Sequence, residues 1–193
     1  MDCLLWVFRA NQDNYRGITL LPLLCKMYEK CLTIRIENWV KRKNIISNVQ
    51  GAGKENCSSL PTAWVVREII IENIEYNNPV YLALLDTKKA FDTVWQDGLF
   101  FKLDEIGIKG KMWRILRLLY DNFMCKVCAA GNTSDGFVTA QGIHQGAPCS
   151  MLFYAIFINN LLCELQDFWP GIKIGNHIIN CVAFVMELQL VVH

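Results

Sequence analysis

The run Val80-Tyr81-Leu82-Ala83-Leu84-Leu85-Asp86 carries an apolar strand straight into a carboxylate, and Thr87-Lys88-Lys89-Ala90-Phe91-Asp92 then turns into polar and aromatic sequence. An apolar strand that ends on an acid holds a hard oxygen rigidly at the end of a sheet. A divalent cation is captured there if a second acid arrives beside it. That acid is expected from the hairpin Cys181–Val192, whose tip reads Phe184-Val185-Met186-Glu187. Glu187 offers a carboxylate, whereas Met186 brings a soft, uncharged thioether to the place where a second strong ligand is wanted. The sequence thus points to metal-assisted chemistry and to its impairment.

Weaker candidates lie around the second glycine-containing segment. Gly142 and the pair Gln145-Gly146 form a loop that runs into a helix at Ser150, and such a loop lets backbone approach a ligand. His144 has no carboxylate partner in view and reads as incidental. Asp92 suits an N-cap or an acceptor role in the turn that also holds Lys88 and Lys89. Cys125 and Cys128 make a C-x-x-C inside a predicted strand, where side chains three apart face opposite ways, so no zinc site is expected. Nucleophile-elbow, Walker A, H-E-x-x-H and dinucleotide-fold signatures are absent.

Several elements must position these groups. Leu24, Met27, Tyr28, Cys31, Leu32, Ile36, Trp39 and Val40 recur at helical spacing over 23–43, with Pro22 ahead and Lys41-Arg42-Lys43 at the end that suits a helix dipole. A loop is predicted over 44–59, a helix over 60–76, and a strand over 80–85 covered on both faces. Helices over 97–106 and 111–123 precede a hairpin of 124–130 with 137–141. A helix over 150–165 leads to strands at 172–174, 178–185 and 188–192, the first two joined at Gly175-Asn176. Strands and helices mix without regular alternation, which favours an α+β sheet with helices on one side.

Composition narrows the classes further. The 193 residues are 53% hydrophobic, enough for a sizeable core, and no apolar run approaches the roughly 20 residues of a spanning helix. Met1–Phe8 lacks a basic n-region and reads as a strand, so no signal peptide is expected and the cytoplasm or nucleus follows. Nine scattered cysteines fit a reducing compartment. Net charge is only +1, so positive charge is local: Lys41-Arg42-Lys43, Lys88-Lys89, and Lys109, Lys111, Arg114 and Arg117.

Asn14-Tyr15-Arg16-Gly17-Ile18-Thr19-Leu20-Leu21, the Ala83–Val94 run around Asp86, Gln141-Gly142-Ile143-His144-Gln145-Gly146 and Phe157-Ile158-Asn159-Asn160-Leu161 together resemble the reverse-transcriptase domain of LINE-type, non-LTR retrotransposons. The resemblance implies an α+β, right-hand polymerase fragment, with fingers over 1–78 and a palm over 79–193 built on an antiparallel sheet packed by helices. Against that family pattern, no counterpart of the thumb and no endonuclease-like region before Asn14 are expected in this sequence. Asp86 resembles the first palm carboxylate that binds two Mg2+ ions. Phe91 matches the steric gate under the nucleotide sugar, Gln145 and Gly146 the nucleotide-pocket loop, and Lys54 a basic fingertip residue. Glu187 stands at the second acidic motif, where Met186 replaces an aspartate.

RNA template, DNA primer and deoxynucleoside triphosphates are the implied partners. Magnesium demands hard oxygen ligands at about 2.0–2.1 Å. Losing one carboxylate is therefore expected to cost on the order of a thousandfold in rate. His144, Met151 and Asn160 depart from the family pattern as well. A second reading keeps the fold as a nucleic-acid-binding module without the chemistry.

Overall fold

A computed structural model describes residues 2–4, 17–51, 58–121, 123–129, 131–168, 171–174, 177–184 and 187–192. The chain divides into two compact units built from interleaved segments. One comprises Met1–Lys43 with Lys89–Phe157, the other Asn44–Lys88 with Ile158–His193. No helix among the described residues is long and apolar enough to cross a membrane.

In the first unit, strand β1 (Asp2–Leu4) pairs antiparallel with β2 (Ile18–Thr19) and parallel with β4 (Met124–Ala129). β4 also pairs antiparallel with β5 (Asn132–Thr133) and β6 (Phe137–Val138), giving five strands in all. Helices α1 (Leu23–Lys43), α3 (Gln96–Glu105) and α4 (Gly110–Leu118) belong to this unit, as does the first part of α5 (Ser150–Phe168). Its core gathers Leu32, Ile36, Leu99, Phe100, Leu103, Leu116, Tyr120 and Phe153. Edge-on contacts of Phe100 with Trp113 and Tyr120, at ring separations of 5.8 and 5.6 Å, lock α3 against α4 and the turn beyond it.

Helix α1 spans the predicted range, yet it buries only one of its two apolar stripes. Leu32, Ile36 and Val40 point inward together with Glu29 and Thr33, whereas Leu24, Met27, Tyr28 and Cys31 are exposed. Spacing alone cannot choose between two stripes about one residue apart on a 3.6-residue turn.

The second unit holds helix α2 (Ser59–Glu75) and a three-stranded antiparallel sheet in the order β3 (Tyr81–Asp86), β10 (Glu187–Val192), β9 (Cys181–Phe184). β7 (Ile172–Ile174) and β8 (His177–Ile179) form a separate hairpin. Ile69 of α2 and Ile172 are its buried centre, with Val65, Val80, Ile174 and Ile179 packed around them. α2 lies on β9, the strand farthest from β3.

That topology corrects the expectation that β3 is covered on both faces. Every residue of β3 is exposed, Leu84 at 71%, because among the described residues the strand is an edge hydrogen-bonded to β10 alone and the helical cover falls on β9. Nor is 178–185 one strand. Buried Asn180 interrupts it, its side-chain oxygen accepting from the Cys181 amide at 3.0 Å and its amide donating to the Gln166 carbonyl at 2.8 Å.

Candidate functional site

β3 and β10 run antiparallel through six opposed positions, from Val192 against Tyr81 to Glu187 against Asp86. Opposed positions in an antiparallel pair lie on one face with Cβ atoms about 4.5–5.5 Å apart. The register therefore brings the two acidic positions together at the end of the strand pair, and Glu187 is also opposed to Phe184 on β9. Asp86 is exposed. Val185, Met186 and Lys54 lie outside the described residues.

Aspartate and glutamate are residue types with oxygen donors of the hard kind that suits Mg2+. Among the described residues no group of three or more His, Cys, Asp or Glu side chains forms a ready-made metal cage.

In the other unit, the segment after Asp86 and the glycine loop are stitched together. The Ile143 amide donates to the Phe91 carbonyl and the Gly142 amide to the Val94 carbonyl, both at 2.8 Å. Gln96 donates to the Gly142 carbonyl at 2.9 Å, and Gln141 to the Thr93 carbonyl at 3.0 Å. Gly142 has φ +88°, and a Cβ there would meet the Asp92 carbonyl oxygen at 2.9 Å. Only glycine allows this approach. The Phe91 ring is half-buried 5.4 Å from the Tyr154 ring.

Gln145 accepts from the Thr19 amide at 2.8 Å through its carbonyl, fixing the loop to β2, and Gly146 follows at φ +97°. A cavity of about 300 Å³ opens beside this loop, lined by Thr19, Asp92, Cys125, Gln141, Gly142 and Gln145 among others. No sequence signal marks Gln96 or Gln141. Their amides serve backbone carbonyls about 46 to 48 residues away in the chain, a relation that no local pattern announces.

Asp92 sits in the turn whose amides bond back to Lys89, while the N-cap of α3 is Trp95, so Asp92 does not cap that helix. Lys89 itself adopts φ +51°. His144 is a core residue: it stacks on Tyr120 at 4.3 Å with the rings 4° from parallel, and burial lowers its pKa to about 4. Beside that stack, Cys149 donates to the Glu29 carboxyl at 2.6 Å, and burial raises both the Glu29 and the Cys149 pKa. Glu29 was invisible from sequence because an acid in an amphipathic helix normally faces water. Cys125 is buried and Cys128 half-buried, and Cys25, Cys31, Cys125, Cys128, Cys149, Cys163 and Cys181 are free thiols.

The family model described as reverse transcriptase (RNA-dependent DNA polymerase) matches residues 9–187. A retrovirus-related Pol polyprotein from the type-2 retrotransposable element R2DM of Drosophila melanogaster is 25% identical over 187 residues, covering 95% of this chain and 17% of that protein. One from a type-1 R2 element of Popillia japonica is 27% identical over 183 residues, covering 93% and 25%. The RNA-directed DNA polymerase of the mobile element jockey of Drosophila funebris is 26% identical over 145 residues, covering 75% and 16%. The chain thus spans a quarter or less of each of these relatives.

Among solved structures, apo telomerase from Candida tropicalis superposes with a TM-score of 0.61 at 12% identity, covering 98% of this chain and 43% of that one. Telomerase from Candida albicans, solved with a TWJ fragment of telomeric RNA, gives 0.58 at 11% identity, covering 98% and 36%. At that identity the likeness is one of fold.

Proposed function

The chain belongs to the reverse transcriptase (RNA-dependent DNA polymerase) family, with relatives in non-LTR retrotransposons, and we propose that it is a polymerase-domain fragment whose activity is lost or much reduced. In this reading residues 1–78 furnish the fingers-like part and 79–193 the palm-like part. The template is RNA, the primer DNA, and the substrates deoxynucleoside triphosphates.

One observation carries the reading: Asp86 and Glu187 are opposed at the end of β3 and β10. Asp86 and Glu187 would hold the Mg2+ ions, which when bound neutralise phosphate charge and support phosphoryl transfer. Phe91 would bound the sugar pocket. Gln145, Gly146 and Lys54 would line the nucleotide and its phosphates. The stitched loop supports that role by being rigid, since positioning accounts for much of catalysis of this type. Met186 lies between Val185 and Glu187 and cannot supply a hard anionic oxygen. Charge at the acidic site is then one carboxylate short, and the transition state is stabilised less.

Primer extension on an RNA template, with and without Mg2+, tests this. The expected result is no DNA synthesis above the level of Asp86→Ala. Template-dependent synthesis that Asp86→Ala abolishes would show an active enzyme and overturn the loss of activity.

A further inference from the structure

We propose that the C-terminal end of α1 and the turn between α3 and α4 form a binding groove for the phosphodiester backbone of a single nucleic-acid strand. The groove lies wholly in the first unit, outside the acidic hairpin, and the inference does not depend on polymerase chemistry.

Cations that are far apart in sequence meet there. Arg35 and Arg42 of α1 and Lys109 of the α3–α4 turn line one cavity of about 180 Å³, with Trp39 and Met112 as walls and Ile36 and Ile108 as floor. Among the described residues no acidic residue lines it. Pockets for drug-sized ligands run about 300–1,000 Å³, so this space suits a phosphate and its sugar better than a larger organic ligand.

Trp39 organises the cations. Its indole nitrogen donates to the Ile106 carbonyl at 2.8 Å, which fixes the ring. Gly107, at φ +89°, lets the ring edge come close, since a Cβ there would stand 3.0 Å from Trp39 Cζ2. The Arg42 guanidinium and the Lys43 ammonium sit 5.8 and 5.3 Å from the ring centroid. A π face holds cations in place without neutralising them, so their charge stays available to an anion. Lys109 reaches Asp104 at 3.4 Å, but both partners are more than half exposed, and a pair of that kind is readily exchanged.

The α1 dipole accounts for positive charge at Lys41-Arg42-Lys43. It does not account for Arg35, two turns earlier, or for Lys109 on another element. Clustered cations beside an aromatic wall are the pattern that tracks a strand backbone.

Anisotropy titrations of fluorescein-labelled oligouridylate and oligothymidylate test the groove, over about 50–200 mM salt. The full chain is compared with a triple variant, Arg35→Glu, Arg42→Glu and Lys109→Glu, and with a charge-matched control, Lys30→Glu, Lys126→Glu and Lys173→Glu. All six substituted side chains are exposed, and circular dichroism melts verify folding. The triple variant should bind at least about tenfold more weakly, with a log–log salt slope shallower by about 2, because each single-strand phosphate contact contributes roughly 0.7.

Both oligonucleotides losing affinity together identifies the shared backbone, whereas loss for one alone overturns the backbone assignment. An unchanged slope, or an equal loss in the control, overturns the groove. Displacement by polyglutamate as efficient as by unlabelled oligouridylate would assign the surface to an acidic protein instead. If the triple variant does not fold, ultraviolet cross-linking of the wild type decides: adducts within 35–43 and 107–112 support the groove, and adducts confined elsewhere overturn it. The readout is strand binding, so its failure is distinct from a failure of DNA synthesis.

Discussion

Asp86 and Glu187 occupy directly opposed positions at the end of the β3–β10 ladder. Like charges placed opposite one another across strands are destabilising unless a cation lies between them. A strand pair built this way has its electrostatic cost at the end where catalysis is proposed.

Neutralising one member should therefore stabilise the metal-free protein. Asp86→Asn is expected to raise Tm in EDTA by about 1–4 °C, and added Mg2+ should raise Tm of the wild type more than that of the variant. Calorimetric melts measure both. A fall in Tm for Asp86→Asn in EDTA would mean that Asp86 is a structural acceptor.

Gly142→Ala should loosen the loop stitched to Phe91 and Val94. A Cβ at φ +88° and 2.9 Å from the Asp92 carbonyl oxygen forces backbone apart, at a cost of about 1–3 kcal/mol. Urea unfolding should show a lower midpoint at unchanged slope. An unchanged midpoint would mean that the loop has slack.

His144 gives acid sensitivity of definite sign. Its pKa of about 4 in the fold lies below the ordinary 6.5, so on acidification the unfolded chain takes up the proton first. Stability is then lost as pH falls from 6.5 towards 4, by roughly 3 kcal/mol in total. His144→Phe keeps a ring against Tyr120 and removes the titration. Its stability should be flatter across that range in urea titrations at several pH values. Parallel profiles for the two proteins would contradict the assignment.

Met186→Asp restores a hard anionic oxygen next to Glu187. Single-nucleotide incorporation on a primed RNA template should rise by about tenfold or more, and a second substitution, Asp86→Ala, should abolish the gain. Equal incorporation by the wild type and Met186→Asp would place the defect elsewhere.

Much of this architecture was legible in the chain because its signals are local. Pro22 and the basic run at 41–43 bracket α1, and Ser150 opens α5 where the loop chemistry says it should. The register of Asp86 against Glu187 was legible too, since an apolar run ending at Asp86 and a hairpin with its tip at 184–187 each declare a strand end. What stayed hidden is decided by tertiary partners. Which stripe of α1 is buried depends on what packs against it, and the same apolar run in β3 reads identically whether central or at an edge. Gln96, Gln141, Glu29 and the meeting of Arg42 with Lys109 join residues tens of positions apart, and no periodicity encodes them.

Binding of Mn2+, followed by the loss of its free-ion electron paramagnetic resonance signal, tests the central claim most directly. The wild type should bind the ion, and Asp86→Asn and Glu187→Gln should each weaken binding about tenfold or more, since each removes one of two hard anionic donors. Binding that is unaffected by either substitution would contradict the assignment of the opposed acids as the metal-holding pair.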